Sequence, residues 1–374
     1  MMDDYLQRLV LKGYKSIRDM DLELRQLNVL IGANGAGKSN LISFFKMLNS
    51  MMSRTNGLQQ FIAESGRAQS LLHYGPKTTP QMEATLEFHR LTGVNIYHQR
   101  LFHVAGDTLS FADETMHFQR ANWTGPHKQP YSLGMGHTET RILEYAEQGN
   151  TTAKFFRHLL NNCRVYHFHD TSPTARVRQY SYIEDNRTLL HDAGNLAPML
   201  LHYQREQPNV YRRIVSTIRL IAPFFGDFVL EPSGLNQKDV LLNWREQGSD
   251  LLFGPHQLSD GTLRAMCLIT LLLQHEETLP SLIIIDEPEL GLHPYALNVI
   301  AALFKKVSHH TQVLISTQSS TFLDHFDPED IIVVNREGKE SRFARPDAEA
   351  LEAWLEDYSL GEIWQKNVIG GGPH

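Results

Sequence analysis

Only two cysteines, Cys163 and Cys267, occur in the 374 residues, which excludes a disulfide framework and suits a reducing compartment. Long apolar runs are missing too. The richest stretch, around residues 267 to 273, is about half of the ~18 continuous apolar residues a membrane-crossing helix needs. The start, Met1-Met2-Asp3-Asp4, is acidic and has no apolar centre, so no signal peptide is predicted and the protein is expected in the cytoplasm, away from membranes. An excess of basic charge is absent: 35 Lys and Arg against 42 Asp and Glu leave a net charge of -7. That balance argues against broad coating of nucleic acid, while leaving room for a local basic groove. No heptad persists through residues 40 to 250, which excludes a long coiled-coil arm, and no internal repeat or low-complexity tract is present.

What is present starts with Gly32-Ala33-Asn34-Gly35-Ala36-Gly37-Lys38-Ser39, a fit to G-x-x-x-x-G-K-S. Residues 27 to 31 before it form a short apolar run suited to a buried strand, and Leu41, Ile42, Phe44, Phe45 and Leu48 after it recur at helical spacing. The motif therefore lies between a strand and a helix. There its glycines let successive N–H groups turn toward an anion, and the new helix adds the positive end of its dipole. Lys38 would reach the outer phosphates and Ser39 would offer its hydroxyl to Mg2+.

Upstream, residues 6 to 11 and 22 to 24 read as strands. Residues 49 to 80 read as polar surface chain. Met82, Ala84, Leu86 and Phe88 alternate with polar residues and predict a half-buried antiparallel strand; with runs at 95 to 104 and 108 to 111 they make a β-rich region over about residues 80 to 120. Residues 121 to 138 look like loop, 140 to 162 helical, 165 to 168 a short strand, and 196 to 206 and 210 to 221 two helices. Strand-like runs return at 228 to 230 and 240 to 244. From Gly261 helix and strand alternate, which predicts a parallel sheet covered by helices. An amphipathic helix carrying Leu351, Trp354 and Leu355 precedes a tail ending Gly370-Gly371-Gly372-Pro373-His374.

Leu282-Ile283-Ile284-Ile285-Asp286-Glu287-Pro288 is four aliphatic residues ending in two carboxylates. A buried parallel strand delivers such residues to the carboxyl edge of its sheet, where ligands of open α/β sheets bind. Asp286 would hold the Mg2+ that Ser39 touches, and Glu287 would take a proton from an attacking water. Upstream, Leu258-Ser259-Asp260-Gly261-Thr262 opens a helix. It reads either as a plain N-cap or as a second set of N–H groups, at Ser259 and Gly261, offered to an anion.

Three weaker signals keep two readings each. His167 and His169 share one face of a strand with Asp170 next to them, as a metal site or as interior histidines. Arg157, Arg164, Arg176, Arg178 and the run from Arg212 and Arg213 to Arg219 could follow a DNA backbone or form a solvated face. Trp354, Trp364 and Tyr358 could dock a partner or fill a core.

The phosphate loop, Leu258-Ser259-Asp260-Gly261, Asp286-Glu287-Pro288-Glu289-Leu290-Gly291-Leu292-His293-Pro294 and Ser316-Thr317-Gln318-Ser319 together resemble an ABC-type ATPase of the RecF/SMC-related branch. Tyr166-His167-Phe168-His169-Asp170-Thr171-Ser172, Asp192-Ala193-Gly194-Asn195-Leu196-Ala197 and Trp354-Leu355-x-x-Tyr358-Ser359-Leu360-Gly361 resemble, within it, a family of stand-alone bacterial AAA-family ATPases of the OLD/RecF-like, defence-island kind.

The resemblance implies an α/β P-loop fold: an ABC-type ATPase head with a β-rich first lobe, a helical insertion and a parallel α/β second lobe. Residues 1–140 would be the first lobe with the phosphate loop and antiparallel β region, 141–225 the mainly helical insertion, and 226–374 the second lobe with signature motif, Walker B acids and C-terminal helix. It implies a Mg2+-dependent ATPase that forms a homodimer around ATP. Asn34, Gly35, Ala36, Gly37, Lys38, Ser39 and Asn40 would bind the nucleotide, with Ser259 and Gly261 facing the other subunit's ATP. Residues 289 to 294 would cross the interface, and Asn34 would touch the terminal phosphate or the neighbouring subunit.

Lys38, Glu287 and Gln318 would be catalytic, with Ser39 and Asp286 on the metal. Gln318 stands where the wider superfamily has a switch histidine, and its amide can donate a hydrogen bond but cannot carry a proton. The glutamine expected near Mg2+ has only Gln179 as a candidate. Two roles fit: a switch gating a separate effector, such as a nuclease in antiviral defence, or an ATPase that engages DNA directly in repair.

Overall fold

The computed structural model describes residues 4–53, 55–122, 124, 129–232, 234 and 236–372. Met1, Met2 and Asp3 of the expected leaderless start, residues 123 and 125–128 of the expected loop, and Pro373 and His374 of the tail lie outside the described residues.

Among the described residues the strands form two six-stranded sheets and two small ones. The first large sheet is antiparallel and uses β1 (Asp4–Tyr14), β2 (Ile17–Glu23), β4 (Gln81–Arg90), β5 (Gly93–Val104), β6 (Thr108–Arg120) and β7 (Tyr131–Gly134) in the order β2-β1-β4-β5-β6-β7. The alternation in β4 comes out as expected: Met82, Ala84, Leu86 and Phe88 are all buried.

The second sheet holds β3 (Leu27–Ile31), β8 (Cys163–Tyr166), β9 (Leu282–Asp286), β10 (Gln312–Thr317), β11 (Ile331–Glu337) and β12 (Glu340–Ala344). Its order is β12-β11-β3-β10-β9-β8, parallel throughout except for the antiparallel pair β11-β12. Its central strands are apolar at almost every position because both faces are covered. Val29, Ile31, Ile283, Ile285, Val313 and Ile315 enter a core built with α6 (Leu196–Glu206), α7 (Pro208–Ile221), α8 (Asp260–Leu273) and α9 (Pro294–Val307). Leu30, Ile284, Leu314, Ile332 and Val334 enter a second core with α1 (Lys38–Ser53) and the antiparallel sheet. One sheet thus divides two cores, and its carboxyl edge is left for chemistry.

The region of residues 49 to 80 differs from the polar surface chain expected of it. After α1 it forms α2 (Gly57–Glu64) and α3 (Arg67–Leu71), and Leu58, Ile62, Ala68 and Leu71 are buried in the second core. Few apolar residues, spaced one turn apart, suffice because each helix only has to cover the edge of an existing core. The helical pattern of residues 140 to 162 resolves into α4 (Ile142–Glu147) and α5 (Thr151–Asn161), broken at Gly149, whose φ is 94°. At the far end α10 (Ser320–Leu323), α11 (Ala348–Leu355) and α12 (Leu360–Gln365) pack near β11. The two tryptophans there part company. Trp364 is buried and its indole N–H donates to the carbonyl of Gly371 at 2.8 Å, whereas Trp354 is 40% exposed beside Tyr358.

Candidate functional site

β3 ends at Ile31, and the loop of residues 32 to 37 carries the chain into α1, which begins at Lys38. Two glycines of that loop are sterically required. A Cβ on Gly32 would lie 2.3 Å from the Val334 carbonyl oxygen, and one on Gly37 (φ 118°) 2.0 Å from Ser341 Oγ. The loop is fastened from outside by a hydroxyl relay: Asn40 Nδ2 donates to Ser16 Oγ at 2.6 Å, Ser16 and Ser341 share a hydrogen bond of 2.6 Å, and Ser341 Oγ donates to the Ala36 carbonyl.

A cleft of about 120 Å3 is lined by Asn34, Gly35, Ala36, Gly37, Lys38, Ser39, Asn40, Asp286, Glu287 and Gln318. The loop and the paired acids, some 250 residues apart in the chain, are joined through the sheet, since β3 and β9 both flank β10. Lys38 is buried, with its ammonium donating to the carbonyls of Gly32 and, at 3.2 Å, Ala33. Burial pulls its pKa below the ordinary lysine value, and the carboxylates of Asp286, Glu287 and Glu289 pull it back toward the charged form.

Glu287 follows the last residue of β9 with φ 45°, a left-handed conformation that costs a non-glycine residue on the order of 1 kcal/mol. Two hydrogen bonds hold it there: its N–H donates to the Ser316 carbonyl at 2.7 Å, and the Gln318 side-chain amide donates to its Oε1.

Glu289 is the residue that sequence reasoning passed over, having placed it only in a loop crossing an interface. Thr317 Oγ1 and the Gln318 N–H donate to its Oε1 at 2.6 and 3.2 Å, and its Oε2 is buried without a partner. Burial raises its pKa above the ordinary glutamate value, against the Thr317 hydrogen bond that lowers it. The signal was the second acid two places after Glu287, but only the fold shows that it turns inward under Gln318.

Ser259 caps α8, its Oγ accepting from the Thr262 N–H at 3.2 Å. A Cβ on Gly261 would lie 2.2 Å from the Gly291 carbonyl oxygen, so the start of α8 rests directly on the turn after the paired acids. Arg264 secures that contact, donating to the carbonyls of Leu290, Phe168 and His169 at 3.1, 3.2 and 2.8 Å. Ser259 and Gly261 are not among the residues lining the cleft of their own chain.

The structure does not bring Gln179 to the cleft; it is exposed and donates to the Pro173 carbonyl at 2.9 Å. The segment that does reach the Asp286 strand is His167 to His169, because β8 pairs with β9 and His169 Nε2 lies 2.7 Å from the Asp286 carbonyl oxygen. Most of the middle-region arginines are occupied. Arg178 is buried and bonds Thr171, Pro255, Leu258 and Asp260; Arg176 pairs with Asp192 at 3.0 Å; Arg219 bonds the Gly226 carbonyl. Among the described residues no helix is long and apolar enough to cross a membrane.

A strand, a glycine-rich loop and a helix in one sheet with a strand ending in paired acids make a P-loop fold. Solved structures share this fold. An SmcHead bound to the C-winged helix domain of ScpA superposes with a TM-score of 0.61 at 16% identity, covering 94% of this chain and 99% of that one. The Smc head with an extended coiled coil bound to the C-terminal domain of ScpA, derived from Pyrococcus furiosus, gives 0.60 at 15%, covering 95% and 99%. The Smc head with a coiled coil and joint derived from Pyrococcus yayanosii gives 0.54 at 13%, again covering 95% and 99%. No curated protein sequence matches. The family model described as "AAA domain, putative AbiEii toxin, Type IV TA system" matches residues 27–101 and 164–324, more than half of the chain, and the chain belongs to that family.

Proposed function

We propose that this protein binds and hydrolyses ATP with Mg2+, dimerises around the nucleotide, and works as a switch that gates a separate effector. The observation that carries the ATPase reading is the meeting of the phosphate loop with Asp286, Glu287 and Gln318 in one cleft. The donor set fits the metal: the Ser39 hydroxyl and the Asp286 carboxylate, both of residues lining that cleft, are hard oxygen ligands of the kind Mg2+ takes. Bound there, Mg2+ would neutralise charge on the β- and γ-phosphates.

Lys38 supplies a buried cation to the same phosphates once its amine leaves the loop carbonyls. Glu287 accepts the proton of the attacking water, aimed by its left-handed backbone and by the Gln318 amide. Gln318 positions and does not exchange protons. The groove of about 940 Å3 beside the loop, which Asn40 also lines, would take the nucleoside; Lys15, Tyr74 and Arg336 line it, and Arg336 donates to the Gly35 carbonyl at 3.3 Å, tying groove to loop.

What supports a two-copy site is that Ser259 and Gly261, exposed or half-buried at the start of α8, line no wall of their own cleft. A second copy would bring these N–H groups to the nucleotide. A protein partner is suggested by the SMC heads, two of which carry a domain of ScpA, and antiviral defence by the toxin–antitoxin wording of the family description. Direct DNA engagement in repair has less support, because Arg176, Arg178 and Arg219 are taken up within the fold.

The test is steady-state ATP hydrolysis, with and without linear double-stranded DNA at two salt concentrations. Hydrolysis lost in Lys38→Ala and indifferent to DNA is the expected result. Normal turnover in Lys38→Ala would sink the ATPase site, and stimulation by DNA that fades with salt would transfer support to the repair reading.

A further inference from the structure

Several cationic side chains of this protein are neutralised where they stand: Arg8 pairs with Asp21, Arg18 with Glu340, Arg25 with Glu329. One cleft away from the phosphate loop gathers cations without a carboxylate. It lies between α1 and β8, has a volume of about 540 Å3, and is lined by Lys46, Arg164, His167 and His191 with no carboxylate among its walls. It shares no lining residue with the phosphate-loop cleft.

Among the described residues neither Lys46 nor Arg164 forms an ion pair with a carboxylate. His167 Nε2 is buried and has no hydrogen-bond partner, although its backbone N–H is fixed to the His191 carbonyl at 2.8 Å. The floor is held in shape by Asn49, whose Nδ2 donates to the Asn161 carbonyl at 2.7 Å and so ties α1 to the end of α5.

We propose that this cleft is a second anion site, separate from the phosphate loop, that takes a phosphate monoester of nucleotide size. Two cationic side chains lining one concave wall match a dianion better than a diester's single charge, and charge-assisted hydrogen bonds from Arg164 and Lys46 are the strong ones. The volume falls in the range of small-ligand pockets, about 300 to 1,000 Å3. His167, whose Nε2 the fold leaves without a hydrogen-bond partner, lines the same wall.

The site also sits where it can speak to the ATPase cleft. Lys46 is on the helix that the phosphate loop begins, His167 follows the strand paired with that of Asp286, and the Asp286 charge is felt at both.

The experiment is calorimetric titration of the full chain with inorganic pyrophosphate. Two classes of site are expected, of which Lys38→Ala removes one. The other should weaken at least tenfold in Arg164→Ala and in Lys46→Met, and survive in Arg164→Lys, which keeps the charge and separates its loss from a folding defect. Since the second class is read in the Lys38→Ala background, its fate is independent of the ATPase reading. A single class abolished by Lys38→Ala overturns the proposal, as does a second class untouched by Arg164→Ala and Lys46→Met. Competition then separates the sources: displacement by 5′-AMP assigns a free nucleotide, displacement by a 5′-phosphorylated oligonucleotide assigns a strand end, and displacement by neither overturns the monoester assignment.

Discussion

The side-chain amide of Gln318 donates a hydrogen bond to Glu287 Oε1, holding the carboxylate at the end of β9 against a residue just past β10. The same Gln318 uses its backbone N–H on Glu289, so one residue positions both acids.

This arrangement predicts different outcomes for the two partners. Glu287→Gln should bind ATP and lose turnover by about 10²- to 10⁴-fold, the usual worth of a general base, with a dimer accumulating in light scattering. Gln318→Ala should lose less, mainly in kcat, because it frees the base without removing it. Gln318→His should shift turnover more than affinity; an unchanged rate in both Gln318 variants would remove that residue from the site.

Glu289 carries a stability cost with a definite pH sign. Its folded pKa is raised by burial above the unfolded value of 4.5, so the folded state holds its proton more tightly and this group's contribution to stability falls as pH rises from the unfolded pKa through the folded one. Glu289→Gln keeps an oxygen for Thr317 Oγ1 and removes the charge. Urea unfolding should show a gain in stability at pH 8 that vanishes near pH 4. A loss of stability at pH 8 would contradict it.

Gly261→Ala places a methyl 2.2 Å from the Gly291 carbonyl oxygen, which is backbone and cannot swing aside. A destabilisation of about 1–3 kcal/mol is expected, typical of overpacking. Because the strain falls on the turn after Glu287, ATP hydrolysis should drop as well. Full activity at native stability would show that this turn yields freely.

Arg178→Ala should destabilise the fold by about 3 kcal/mol or more, since it leaves the carbonyls of Thr171, Pro255 and Leu258 without their charged donor. DNA affinity, if any is measured, should keep the same salt slope in this variant, because a buried guanidinium releases no counterions from DNA. A reduced slope would return Arg178 to the surface.

Much of the site was legible because its parts are local. A strand, a G-x-x-x-x-G-K-S loop and a helix are contiguous, and so are four aliphatic residues ending in Asp286 and Glu287. Period-2 alternation in β4 and the helix–strand alternation after Gly261 likewise depend on neighbours a few residues apart. Residues 57 to 71 were misjudged because their few apolar residues gain meaning only against a core supplied by β6 and α1. Gln179 was chosen for its residue type and its place a few residues past the His-Asp strand, while His167 to His169 reach Asp286 through strand pairing that no local pattern announces.

The sequence by itself determined the phosphate loop, the paired acids, the capped start of α8 and the class of sheet, because backbone geometry, apolar periodicity and capping act over a few residues. Only the tertiary structure decided that Gln318 grips Glu287, that Glu289 turns inward, that Arg178 is buried, and that Lys46 and Arg164 share a cleft without an acid. Those are contacts between strands and helices far apart in the chain, set by the order in which strands enter the sheet, and side-chain burial and charge compensation follow from that order.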